Sequence, residues 1–245
     1  MDYSSCIYVA SCVFTQNYPE LSMQIQKYLK ERFNMQIIRC CVPNYKIKKF
    51  EDSMPDWMRP QWKNLPSYQE FSKENTIIHI CHNCSAIFQE TRPQIKLLSL
   101  WELILADAKF PFPDYHHEKV TIQDCWRSYD NRKEQEDVRS LLTKMNIDAV
   151  ELENNYEKTQ FCGISLYQPS PKRNLILAPE RFVKNAEGKF IPHSDEEKLK
   201  LMQEYGQKIK TEKIVAYCHY CVKGLELGGK DAKHIAELLF PSCFV

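Results

Sequence analysis

Two short segments of the same design constrain how this chain can fold. Each is an apolar run rich in β-branched residues that ends directly in Cys-His-x-Cys, at residues 76–84 and 213–221. Such runs predict buried strands, and each is followed by a stretch that favours a helix. A Cys-x-x-Cys at a turn from strand to helix brings two sulfurs to one point, where the helix N-terminus stabilises thiolates. Thiolates are the form of cysteine that binds metals and acts as a nucleophile.

Other cysteines follow predicted strands in the same order in each half of the chain. One cysteine follows the first strand, a cysteine or an adjacent pair comes with the second, and the Cys-x-x-Cys ends the third. The first and second strands are predicted at residues 6–10 and 35–39, and again at 119–123 and 149–152. In the N-terminal half the cysteines are Cys12, Cys40, Cys41, Cys81 and Cys84. In the C-terminal half they are Cys125, Cys162, Cys218 and Cys221.

Helical periodicity alternates with these strands. The predicted helices cover residues 18–32, 97–108, 131–145, 194–210 and 231–240. This alternation predicts an α/β protein with two pseudo-symmetric parallel-sheet α/β domains from an internal duplication. The pattern breaks around Pro111 and Pro113 and then starts again, so we place the domains at residues 1–112 and 113–245. Binding sites of open parallel sheets collect at the carboxyl ends of the strands, so the cysteines of each half are expected to meet there.

The charge balance and the number of cysteines limit the range of possible functions. The chain has 33 Lys and Arg against 32 Asp and Glu, a balance that argues against binding to nucleic acid or a membrane surface by bulk charge. No run approaches the roughly 20 apolar residues of a membrane span. The N-terminus lacks a basic region followed by a long apolar segment, so we expect no signal peptide and a cytoplasmic protein. In that compartment 11 cysteines indicate metal or redox chemistry more than a disulfide framework.

Sets of four or five thiolates select iron–sulfur clusters or zinc over hard ions. Iron–sulfur clusters transfer electrons one at a time, which predicts an oxidoreductase or one of its subunits. Zinc has no redox chemistry, which predicts a zinc-stabilised binding or scaffold module. Thiol–disulfide exchange by metal-free Cys-x-x-Cys is a third possibility.

The nine cysteines resemble the pattern of the cysteine-rich CCG domain, which is Cys, then Cys-Cys-Gly, then Cys-x-x-Cys. Proteins with two such domains include the B subunit of heterodisulfide reductase and the lactate-utilisation protein A family. The resemblance covers nearly the whole chain. It implies that all nine cysteines bind cofactor and that the cofactors are 4Fe–4S clusters. It also implies electron transfer with a redox partner protein or the subunits of a larger complex, and a disulfide or thiol as a candidate substrate.

The chain departs from that pattern at two positions. Val42 stands in place of the glycine in the N-terminal half, which matters little for ligation. Phe161 stands in place of the first cysteine of the pair in the C-terminal half, so four sulfurs remain there. By the resemblance, a non-cubane 4Fe–4S cluster is a candidate for the five-cysteine half. Four thiolates suit either a cubane 4Fe–4S cluster or a tetrahedral zinc.

The remaining candidates receive structural interpretations. Cys6 lies inside an apolar strand and is expected to be a core thiol, and Cys243, near the terminus, is expected to be inert. His82 and His219 lie within the Cys-x-x-Cys turns and are expected to be solvated loop residues.

Overall fold

The computed structural model describes residues 3, 5–43, 45–67 and 70–241. Cys243 lies outside these residues. The chain divides into two compact units, Met1–Leu103 and Ile104–Val245. The sequence pattern places the boundary between residues 112 and 113, which lies between Pro111 and Pro113, whereas the division falls within the helix Leu100–Ala106, which precedes both prolines.

The N-terminal unit contains a sheet of four parallel strands in the order β2-β1-β3-β4. The strands are β1 (Cys6–Val9), β2 (Gln36–Ile38), β3 (Thr76–His79) and β4 (Lys96–Ser99). The helices are α1 (Cys12–Asn17), α2 (Pro19–Phe33), α3 (Ile47–Asp52), α4 (Arg59–Asn64), α5 (His82–Thr91) and α6 (Leu100–Ala106).

The C-terminal unit repeats this arrangement, with four parallel strands in the order β6-β5-β7-β8. The strands are β5 (Glu118–Gln123), β6 (Ile147–Val150), β7 (Lys213–Ala216) and β8 (Asp231–His234). The α-helices are α7 (Arg132–Lys144), α8 (Lys172–Leu177), α9 (Asp195–Gln207), α10 (His219–Leu227) and α11 (Ile235–Leu239). Short 3-10 turns occupy Trp126–Ser128, Tyr156–Lys158 and Gly163–Leu166, and Glu180–Lys184 forms a π-helical turn.

The predicted fold class is therefore confirmed: two similar units each hold an all-parallel sheet with helices. The central strands are buried on both faces, as in β1, where all four residues are buried. Burial on both faces is why these strands appear in the sequence as continuous apolar runs.

The same error in the sequence-based assignment occurs at the end of both units. The predicted helices 97–108 and 231–240 begin instead with strands β4 and β8, and only their later parts, α6 and α11, are helical. Strand β4 pairs in parallel with the edge of β3, and β8 pairs with the edge of β7. In the first pair, for example, Ile78 lies opposite Leu98. Pairing with the sheet therefore outweighs the helical propensity of these segments.

Helix caps follow the sequence more closely. Ser194 and Glu197 form the predicted capping box: the Glu197 N–H donates to Ser194 Oγ at 3.2 Å, and the Ser194 N–H donates to Glu197 Oε2 at 2.8 Å. The helix α1, which opens at Cys12, was not predicted. Among the described residues, no helix has the length and apolar character needed to cross a membrane.

Candidate metal centres

Strand order places the residues that follow the first and third strands of each unit at one crevice. The first strand of each unit lies inside its sheet, with the second strand on one side and the third on the other. In parallel sheets, sites form outside the carboxyl ends of strands at such a reversal of strand order. Cys12 and Cys81 follow β1 and β3 at that point, and Cys125 and Cys218 follow β5 and β7.

The two Cys-x-x-Cys segments have the same local geometry. Cys81 is the N-cap residue of α5 (φ −119°, ψ 121°) and Cys218 is the N-cap residue of α10 (φ −135°, ψ 121°). The second cysteine of each pair is the third residue of its helix. The positive end of the helix dipole therefore lies beside both sulfurs of each pair and favours their ionised form.

The expectation that the intervening histidines are solvated is wrong. His82 and His219 are the first residues of α5 and α10, and both are buried. The first turn of each helix faces the interior, so the histidine that follows the first cysteine is buried with the pair. Cys6 is a buried residue of β1, as predicted.

In the C-terminal unit the structure brings all four predicted cysteines together. The ligand atoms of Cys125, Cys162, Cys218 and Cys221 all lie within 4.8 Å of one another, and all four residues are buried. The Sγ atom of Cys162 is 3.4 Å from that of Cys125 and 3.9 Å from that of Cys218. Around a single tetrahedral metal with metal–sulfur bonds of about 2.3 Å, the sulfurs would be about 3.8 Å apart. The four cysteines could therefore hold a metal ion.

Burial and one buried cation set the charge states of these thiols. Burial raises the pKa of Cys125 and of Cys221 well above the ordinary value. Burial also acts to raise the pKa of Cys162, but a hydrogen bond with Cys125 and the positive charge of Arg127 lower it overall. The guanidinium Nη1 of Arg127 donates a hydrogen bond to Cys162 Sγ, and its backbone N–H donates to Cys125 Sγ at 3.4 Å. Cys162 is therefore the thiol most easily ionised among these three.

Close packing against α10 positions Cys162. The next residue, Gly163, has φ +57°, and a Cβ atom there would lie 2.1 Å from the carbonyl oxygen of Tyr220 and 3.1 Å from Cα of Gly224. Only glycine fits this conformation and this approach. The Cys162 loop thereby lies directly on the helix that carries Cys221.

A buried carboxylate fixes two of the ligand-bearing turns. Asp124, which precedes Cys125, is fully buried. It accepts two hydrogen bonds from Arg139 (3.1 and 2.9 Å) and one from the Tyr217 hydroxyl (2.9 Å). The Tyr156 backbone N–H donates a fourth at 2.7 Å. Since Tyr217 precedes Cys218, this one carboxylate links the residues that come directly before two of the four cysteines.

Phe161, which directly precedes Cys162, is a buried aromatic residue. Its ring stacks on that of Tyr205, with centroids 4.1 Å apart and an angle of 16° between the planes. Its backbone oxygen accepts a hydrogen bond from the Trp126 N–H at 2.8 Å. An aromatic core contact thus occupies the position at which the resemblance would place a fifth cysteine.

In the N-terminal unit all five predicted cysteines are buried. Cys84 makes side-chain hydrogen bonds with Cys41 and Cys81, and these contacts together with burial raise its pKa well above the ordinary value. Cys12 opens α1, and its neighbour Ser11 has φ +54° and ψ 108°, a strained backbone conformation for a residue other than glycine. Cys40 lies just beyond β2.

Tyr8 adds a polar group to this unit. Its side chain is fully buried, and within the described part of the chain its hydroxyl has no hydrogen-bond partner. Burial raises the pKa of Tyr8, and the negative charges of Cys84 and Cys81 raise it further. An unsatisfied donor beside two cysteines fits a site that would receive a sulfur-containing group.

Sequence reasoning missed Asp124 and Arg127. Both are charged residues on either side of a predicted cysteine at the end of a buried strand. That position is a usable signal, because a buried charge must be paired. Their partners come from distant parts of the chain, so the sequence does not reveal which groups they meet.

Comparisons with known proteins add little to this structure. No protein-family model matches the chain, and no curated protein matches it by sequence. Among solved structures, glutamate racemase isoform RacE1 from Bacillus anthracis aligns with 12% identity and a TM-score of 0.35, over 98% of this chain and 79% of the racemase chain. A similarity this low supports no conclusion about function. The fold and the buried sulfurs define a two-unit α/β protein with a four-cysteine group that could bind a metal.

Proposed function

We propose that this protein is a cytoplasmic iron–sulfur protein that transfers electrons as a subunit of an oxidoreductase, of the two-domain CCG type. The group of four buried cysteines in the C-terminal unit supports the binding of a soft metal by this chain. The iron–sulfur part of the proposal depends on the five buried cysteines of the N-terminal unit. The N-terminal unit repeats the strand order, its five cysteines are also buried, and Cys81 precedes its helix as Cys218 does in the C-terminal unit. Metal-free dithiol exchange needs an accessible thiolate, and the burial of the four C-terminal thiols argues against it in that unit.

The N-terminal cysteines favour an iron–sulfur cluster over zinc. Structural zinc takes four ligands, whereas five cysteines are available here, two of them adjacent in sequence (Cys40 and Cys41). A cluster of several irons can use an additional sulfur. The buried hydroxyl of Tyr8 would donate a hydrogen bond to a sulfur of the bound group, and such bonds tune the reduction potential.

We further propose that the N-terminal unit is the reactive centre and that its substrate is a disulfide. Reduction of a disulfide to two thiols consumes two electrons and two protons. A redox partner protein or another subunit supplies the electrons, and the cluster supplies one-electron transfer. The chain's contribution would be to hold the buried cysteine sulfurs around the cluster and away from water. The C-terminal unit, where Phe161 replaces a cysteine, would hold its metal without this reaction.

Zinc in the C-terminal unit is the second candidate, and the sulfur separations favour it. Ligand atoms that all lie within 4.8 Å of one another match one tetrahedral ion. Thiolates around a four-iron cluster stand farther apart, because an iron–sulfide core lies between them. In this version the C-terminal unit is a zinc-stabilised module.

Anaerobic purification followed by iron, acid-labile sulfide and zinc analysis separates these proposals. Iron and sulfide in both units support two clusters. Iron and sulfide together with one zinc per chain support a cluster in the N-terminal unit and zinc in the C-terminal unit. Zinc without iron contradicts the electron-transfer function. Electron paramagnetic resonance spectra of the reduced protein identify the cluster type.

Two variants assign each metal to its unit. Cys41→Ala should remove the N-terminal iron and leave the C-terminal metal, and Cys162→Ala should do the reverse. Cys6→Ala is the matched control, because Cys6 is equally buried but belongs to neither set. Loss of both metals in Cys41→Ala, with the control intact, would contradict two independent centres.

A further inference from the structure

Arg127 is a buried cation in the wall of the four-cysteine site. Only 4% of its surface is exposed. Its Nη1 donates hydrogen bonds to Cys162 Sγ and to Ser165 Oγ, the latter at 2.9 Å. An arginine side chain keeps its proton in proteins, so the guanidinium is charged, and its hydrogen bond directs it at the Cys162 sulfur.

Aromatic rings enclose this guanidinium. The centroids lie 4.9 Å from its central carbon for Tyr220, 5.6 Å for Phe190, 5.9 Å for Phe182 and 6.0 Å for Trp126. Rings at such distances attract a cation and replace its water shell with apolar surface. The enclosure strengthens the interaction of the positive charge with the thiolates, because a low dielectric screens charges weakly.

The charge of the site explains why a cation belongs there. Four thiolates and one divalent metal leave a net charge of two minus, and a four-iron cluster with two positive core charges leaves the same. An uncompensated buried charge is strongly unfavourable. One guanidinium in contact with Cys162 cancels half of this excess.

We propose that Arg127 is the positioning residue and fixed counter-charge of the C-terminal metal site: it holds the Cys162 sulfur in place and stabilises the negatively charged, metal-loaded form. The inference rests on the proposed binding of a metal by this unit, but on no particular metal. Both hydrogen bonds leave one nitrogen, Nη1, while the planar guanidinium also lies 4.9 Å from the Tyr220 ring, so the compact ammonium of a lysine would reproduce only part of these contacts.

The test is cobalt and zinc binding to the full-length protein, stripped of metal under reducing conditions. The binding that disappears in Cys162→Ala defines the C-terminal site. Chelator competition then gives its affinity in the wild type, in Arg127→Met and in Arg127→Lys. Arg127→Met should weaken zinc binding about 10–100-fold, the range found when groups that hydrogen-bond to metal ligands are removed. Arg127→Lys should recover part of the loss, and the sulfur-to-cobalt absorption band should shift in both variants.

Arg181→Met is the matched control. Arg181 is also buried and belongs to the same segment as Phe182, but it pairs with Asp130 at 2.5 Å. Its replacement should leave zinc affinity unchanged. Thermal unfolding of the metal-free proteins distinguishes the loss of the positive charge from the loss of packing. The positive charge stabilises mainly the metal-loaded form, whereas packing stabilises both forms. The inference predicts that Arg127→Met lowers the midpoint less without metal than with it.

Equal affinities for wild type and Arg127→Met would overturn the inference. So would a lysine variant no better than the methionine variant, or an equal loss in Arg181→Met. Wild-type protein without any Cys162-dependent metal would instead overturn the metal site itself, and the role of Arg127 with it. The metal-binding curve of the wild type alone tests whether the site exists. The ratio of the zinc affinities of wild type and variants tests the role of Arg127.

Discussion

Replacement of Asp124 by asparagine tests whether the buried carboxylate holds the C-terminal site together. Asparagine keeps the shape and one acceptor oxygen but places an amide donor where the second oxygen was. That donor would face two others, Nη2 of Arg139 and the Tyr156 N–H, which now bond to Oδ2 at 2.9 and 2.7 Å. The substitution also removes the negative charge that pairs with Arg139.

The expected loss of stability is large. Two mismatched donors cost about 1–3 kcal/mol each, and breaking a buried ion pair by neutralising one partner costs about 3–5 kcal/mol in total. Arg139 keeps its second partner, Glu151, so we expect about 3 kcal/mol. For a unit of this size that corresponds to a fall of about 10 °C in Tm.

Urea unfolding of the metal-free protein, followed by circular dichroism, measures this loss, and hydrogen exchange shows which unit weakens. Asp148→Asn is the control, because Asp148 is half exposed and pairs with His117 on the surface. It should change stability by less than about 1 kcal/mol. If Asp124→Asn is no more destabilising than this control, the carboxylate does not anchor the ligand turns.

Three further predictions follow from single residues. Gly163→Ala should destabilise the C-terminal unit by about 3 kcal/mol through strain and overlap with α10. Gly188→Ala should cost only about 1 kcal/mol, because Gly188 is also at positive φ (+69°) but no described heavy atom lies within 4 Å of an added Cβ. Similar unfolding midpoints for the two variants would contradict the packing argument. Burial acts to raise the pKa of Glu151, but hydrogen bonds from Arg139 lower it overall. As the pH falls, Glu151 therefore takes up its proton in the unfolded state before it does so in the folded state, and stability should drop from about pH 4.5 downward. Acid titration of Glu151→Gln should show a shallower drop; an unchanged profile would refute the assignment. Tyr8→Phe should leave the metal-free protein as stable or stabilise it by about 1 kcal/mol, because it removes a buried hydroxyl that has no hydrogen-bond partner among the described residues. A clear loss of stability in urea unfolding would mean that the hydroxyl is bonded.

The sequence predicts the central strands and the Cys-x-x-Cys turns because their signals are local. The runs before Cys81 and Cys218 are apolar and β-branched, and each is followed by a helix that starts within one residue of its cysteine. Strands β4 and β8 could not be predicted in this way. Their residues have no strong strand preference of their own, and pairing with β3 and β7 decides their conformation.

The amino-acid sequence by itself determined the duplication, the parallel α/β class and the four C-terminal cysteines as one set, because repeated spacing and hydrophobic runs are properties of neighbouring residues. Only the tertiary structure decided how close the four sulfurs stand and which charges meet them. Arg127 reaches Cys162 across 35 positions, and Tyr217 reaches Asp124 across 93. Such contacts depend on strand order, which brings distant turns to one crevice, and no local pattern encodes the partner of a buried charge.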